Sequence, residues 1–111
     1  MSWQMWALLL AAIAAEMVGT TALRLSDGFS RLIPSVVVVI GYGASFYLLA
    51  QALKRGLELG LGYAIWSGLG TVAIVAIGVL LFQEKLSLGA VAGIALVILG
   101  VVLINMSSSA Q

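Results

Sequence analysis

The chain contains no cysteine and no histidine in its 111 residues, which excludes disulfide frameworks, thiolate or imidazole metal sites and histidine bases. Charge is nearly as scarce. Five Lys/Arg and four Asp/Glu make up 8% of the chain, against about 25% in soluble domains. With a net charge of +1 and no basic stripe, the chain lacks what neutralises phosphates, and nucleic acid is not expected as a partner. Nine charges also cannot give a domain of this length the polar exterior that water demands.

What remains is apolar: hydrophobic residues account for 63% of the sequence, so the exterior is expected to face lipid. Four runs are long enough for a hydrocarbon core of about 30 Å: residues 3–23, 32–53, 59–82 and 88–106. Barrel strands alternate apolar and polar residues over about 10 positions, and these runs are continuously apolar. The sequence therefore predicts an all-α integral membrane protein, with one four-helix transmembrane domain over residues 1–111. The first run lacks a basic n-region and is as long as a full span, so it is expected to persist as a helix and not as a cleaved signal. Short connections, Arg24 to Arg31, Lys54 to Glu58 and Gln83 to Ser87, suit antiparallel helix neighbours. Ser26-Asp27-Gly28 reads as a turn, Pro34 falls in the first turn of the second helix, and Ser107 to Gln111 reads as a polar tail.

Lys/Arg bias orients membrane helices, and here it is almost absent. Lys54 and Arg55 stand on one side, Arg24, Arg31 and Lys85 on the other. The near balance predicts insertion in both orientations and an inverted dimer. The alternative is a small but sufficient preference for one orientation.

Glu16 is the ionisable residue inside the spans, about two-thirds of the way through the first. A charged side chain at membrane depth costs on the order of 2.5–3.5 kcal/mol on insertion scales and is a functional candidate for that reason. It can hold a proton or a cation; the rival role is an interhelical hydrogen bond. Leu9, Ala12, Ile13, Gly19 and Thr20 share its helix face by spacing, and most are small, leaving room for a ligand or a partner helix. Tyr63 and Trp66 are three apart, Tyr42 and Phe46 four apart. Each pair thus lies on one helix face and suits either a lipophilic cation or packing. Trp3 and Trp6 read as interfacial anchors. Gly89, Gly93 and Gly100 give the fourth helix a close-contact side, expected to mediate dimerisation, with a purely intramolecular contact as the alternative. Gly68 and Gly70 follow Trp66 and are a candidate bend point or a place of close helix approach.

In order along the chain, Ala15-Glu16-Met17-Val18-Gly19-Thr20-Thr21, Asp27 through Ser35, Tyr42 through Gln51 and Gly60 through Gly68 resemble the small multidrug resistance family of proton-coupled exporters. The closer likeness is to its EmrE-like quaternary-cation branch. The resemblance implies an antiparallel, dual-topology homodimer in a bacterial inner membrane, in which Glu16 of both protomers binds protons and organic cations competitively. It implies that Tyr63 and Trp66 line the cation site with Tyr42, Thr20 and Ala12 nearby, and that Gly93 and Gly100 belong to the dimer motif. A guanidinium-exporting branch typically has Trp three residues after the glutamate, where this chain has Gly19. The segment Leu57-Glu58-Leu59-Gly60 departs from the proline-containing loop usual in the family.

These observations lead to the expectation of a proton-coupled antiporter for aromatic and quaternary ammonium cations, with no cofactor and no metal. Two rivals are a guanidinium or polyamine exporter of the same fold, and a non-transporting membrane subunit that needs a partner. An enzyme is not expected, because a lone carboxylate without a second acid or a nucleophile completes no catalytic constellation.

Overall fold

An apolar run in a bilayer has no water to satisfy its backbone, and the helix is the conformation that satisfies it within one segment. In the computed structural model, which describes residues 3–109, all four runs are helical: α1 (Trp3–Leu25), α2 (Leu32–Lys54), α3 (Leu59–Phe82) and α4 (Leu88–Ser109). Each is long and apolar enough to cross a membrane. The helices associate as two compact units, α1 with α2 and α3 with α4.

The fourth helix differs from the sequence-based expectation at its end. It does not stop at Met106 with a polar tail after it; the helix runs on through Ser109, while Ala110 and Gln111 lie outside the described residues. Loss of hydrophobicity marks where a helix leaves lipid, whereas the helix itself continues until its backbone bonds are terminated. For the same reason α1 carries on through Arg24 and Leu25.

Both ends of the α1–α2 hairpin have an identifiable stop. After α1, Ser26 is fully buried; its hydroxyl donates to the Leu23 carbonyl at 2.7 Å and accepts from the Phe29 N–H at 3.1 Å. Its own carbonyl takes the N–H groups of Ser30 and Arg31 at 2.9 and 3.1 Å. Asp27, Gly28 and Phe29 all turn left-handed, with φ of 50°, 70° and 67°. The Ser26 hydrogen bonds hold a conformation that Asp tolerates and Phe rarely adopts. After α2, Gly56 takes φ 105°, the Gly56 N–H reaches the Leu53 carbonyl at 3.1 Å and the Leu57 N–H reaches the Ala52 carbonyl at 3.2 Å. This is a Schellman stop, completed by its apolar residue, Leu57, which is buried. The Leu57–Gly60 segment, atypical by sequence, thus opens by closing α2.

Within the first unit, the helices cross where glycine meets glycine. A Cβ on Gly41 would stand 2.9 Å from the Gly19 Cα and 3.0 Å from the Ala15 carbonyl oxygen, so only glycine permits this approach of α2 to α1. Val38, Gly41, Ser45 and Ala52 are the buried residues of α2, spaced by three, four and seven. Within the second unit, Gly68 of α3 receives the side chain of Val101 of α4, whose Cγ2 occupies the place a Cβ would need. Gly78 is covered by the Glu84 carboxyl group in the same way, while the Glu84 N–H bonds to the Gly78 carbonyl at 3.0 Å. None of the described side chains of α4 is fully buried.

Candidate functional site

The first unit assembles a hydrogen-bonded chain of three polar side chains between its two helices. Glu16 and Thr20 are one turn apart on α1, so helical periodicity stacks them, and Thr20 Oγ1 donates to Glu16 Oε2 at 3.0 Å. Tyr42 reaches across from α2, its hydroxyl 2.6 Å from Thr20 Oγ1. Glu16, Thr20 and Tyr42 are each half-buried.

The glycine crossing explains why Tyr42 reaches so far. Tyr42 follows Gly41 directly, and a Cβ on Gly19 would lie 3.4 Å from Tyr42 Cδ2. The missing side chain at Gly19 gives the tyrosine ring its seat against α1, one residue from Thr20. A large residue at Gly19 would take the space of the Tyr42 ring. At this position the small face of α1 therefore admits a partner helix. Ala12, one turn before Glu16, is fully buried.

Thr20 has a single hydroxyl proton and two lone pairs. When Glu16 is ionised, that proton goes to the carboxylate and Tyr42 donates to Thr20. When Glu16 is protonated it can donate to Thr20, which then donates to Tyr42. The chain therefore accommodates both charge states of Glu16 by reversing its polarity, and both keep Thr20 bonded. No move of the backbone is required.

Most of the remaining sequence-nominated residues lie on the second unit. On α3, Tyr63 is 68% exposed, Trp66 is half-buried, and Gly68 and Gly70 are buried within an unbroken helix. On α4, Gly93 and Gly100 have nothing within 4 Å of a Cβ built on them, and Gly89 meets only the Ser87 hydroxyl at 3.9 Å. Phe46, four residues after Tyr42, is 63% exposed, and the two rings share a helix side.

Three features of the first unit escaped the sequence reading. Gly41 is the tightest point of the crossing, and Gly41-x-x-x-Ser45 is a small-residue spacing that signals it. Ser45 is fully buried one turn beyond Tyr42, and its hydroxyl has no hydrogen-bond partner among the described residues. At the far end of the hairpin, Arg55 Nη1 donates to Gln4 Oε1 at 3.0 Å, a pairing across the two helices that no local spacing reveals. Among the described residues, no group of three or more Asp/Glu side chains is placed to hold a metal ion.

The chain has extensive likeness to characterised sequences. A family model described as Small Multidrug Resistance protein matches residues 4–97. The quaternary ammonium compound-resistance protein QacE of Escherichia coli is 47% identical over 106 residues, 96% of each chain. The multidrug resistance protein EbrA of Bacillus licheniformis is 52% identical over 99 residues, 89% of this chain and 93% of its own. The multidrug resistance protein Mmr of Mycobacterium tuberculosis is 42% identical over 101 residues, 91% and 94% of the two chains. With four helices fit to span a membrane and a family match over most of its length, this chain is a multi-pass membrane protein of the small multidrug resistance family.

Proposed function

We propose that this protein is a proton-coupled antiporter that exports lipophilic organic cations, quaternary ammonium compounds and aromatic dyes among them, across the bacterial inner membrane. The observation that carries the reading is Glu16, a carboxylate at membrane depth whose hydrogen-bonded partner Thr20, itself bonded to Tyr42, fits both its ionised and its protonated form. Proton uptake neutralises Glu16 and displaces the bound cation; proton release on the other side frees the carboxylate for the next. Because one group holds either ligand, the two fluxes are coupled by exclusion.

Tyr63 and Trp66 supply aromatic faces for the cation in this reading, and Ala12 keeps the turn beside Glu16 small. The functional unit is an antiparallel homodimer with Gly89, Gly93 and Gly100 at its interface. The open space over Gly93 and Gly100 and the near balance of Lys/Arg between the two sides support it. Alternating access then uses the bend point at Gly68 and Gly70.

The test is current across proteoliposome membranes, on separate addition of a quaternary aromatic cation and of guanidinium, for the wild type and for Glu16→Gln. The expected result is a current with the aromatic cation that Glu16→Gln abolishes. Undiminished pH-driven exchange in Glu16→Gln would overturn the mechanism, and a response to guanidinium alone would overturn the substrate class.

A further inference from the structure

On the exposed face of α3, Thr71 Oγ1 donates a hydrogen bond of 2.6 Å to the carbonyl oxygen of Ser67. That carbonyl is also the ordinary helical acceptor of the Thr71 N–H, four residues on. The hydroxyl and the amide of one residue therefore converge on one oxygen. Between Ser67 and Thr71 stand Gly68 and Gly70, both buried, with Gly68 seated on Val101 of α4. Thr71 is close to the middle of the 24-residue helix, where lipid offers no alternative donor to a carbonyl that loses its partner.

We propose that Thr71 is a strap for the bend of α3. As the helix flexes at Gly68 and Gly70, the Thr71 N–H withdraws from the Ser67 carbonyl and the Thr71 hydroxyl keeps that oxygen bonded. Ser67 and Thr71 are exposed while Gly68 packs on α4. The bond that opens is thus on the exposed side of α3, and α3 bends with that side convex, as helices do when outward carbonyls lengthen their bonds. Hydroxyl bonding to the carbonyl four residues back favours such bending. The strap deepens the alternating-access reading and rests on it. A hydroxyl that merely conceals its own polarity in lipid would have no effect on the rate of the conformational change, and the test turns on that difference.

The full chain in bicelles is compared as wild type, Thr71→Val and Thr71→Ser, with Thr71→Ala as a second hydroxyl-free variant should Val disturb folding. Two quantities are read: the rate of conformational exchange by NMR with tetraphenylphosphonium bound, and the Kd for that cation. Val and Ala are expected to slow exchange by about fivefold, the factor that one ordinary hydrogen bond represents, with Kd within about twofold of wild type. Ser restores the rate. Exchange at the wild-type rate in Val and Ala, with the cation bound, would overturn the strap alone. Absence of Glu16-dependent cation binding in the wild type would overturn the transport reading and the strap with it.

Discussion

Substituting Gly41 with alanine tests whether the glycine crossing holds the Glu16 chain together. The added Cβ would stand 2.9 Å from both the N and the Cα of Gly19 and 3.0 Å from the Ala15 carbonyl oxygen. All three are backbone atoms of α1, and none can rotate aside. Restoring ordinary contact, which begins near 3.4 Å, requires the helices to part by about half an ångström, an overpacking strain of about 1–3 kcal/mol. Tyr42 is the next residue, so its hydroxyl moves with the crossing. The 2.6 Å contact with Thr20 then lengthens to about 3.1 Å, past the usual limit of an O–H···O bond. Gly41→Ala should therefore lower stability in detergent unfolding by about 1–3 kcal/mol and weaken tetraphenylphosphonium binding by about three- to tenfold, the worth of one hydrogen bond. Gly43→Ala is the control: it lies in the same helix with nothing within 4 Å of its Cβ position, and should leave both quantities unchanged or raise stability slightly. Wild-type affinity in Gly41→Ala, or an equal loss in Gly43→Ala, would refute the reasoning.

Gly68→Ala places its Cβ where Val101 Cγ2 lies, and a β-branched side chain has little rotameric freedom to retreat. The cost should be about 1–3 kcal/mol in the same unfolding assay, largely recovered when Val101→Ala is added; no recovery would show that the two do not meet. At Gly93 and Gly100 the space is open. Replacing both with leucine should leave the helical content of the chain unchanged while native mass spectrometry loses the dimer, and a persisting dimer would exclude this face as the interface.

The four spans were legible because continuous apolar length is a strong signal, and Ser26-Asp27-Gly28 announced the first turn by its residue types. The end of α4 was not, since hydropathy stops at Met106 while the backbone has no reason to stop before Ser109. Glu16 stood out by being the one charge inside the runs. Its link to Tyr42 could not be read from periodicity, because periodicity places residues on a face of one helix and says nothing of the register between two. That register is set by Gly19 meeting Gly41, a contact between residues with no side chain to give it away. The bond between Gln4 and Arg55 was hidden likewise, because its members meet at the open end of the hairpin but are 51 residues apart in sequence.

The order of synthesis gives the first hairpin a further significance. All the contacts described around Glu16 come from α1 and α2, and the Schellman stop that closes the pair is complete by Leu57, before α3 begins. Contacts this local form early and fast. As the nascent chain moves into the bilayer, the Glu16–Thr20 pair of α1 gains Tyr42 from the segment that immediately follows it. The hydrogen-bonded chain at the carboxylate is therefore complete once one more helix has been made.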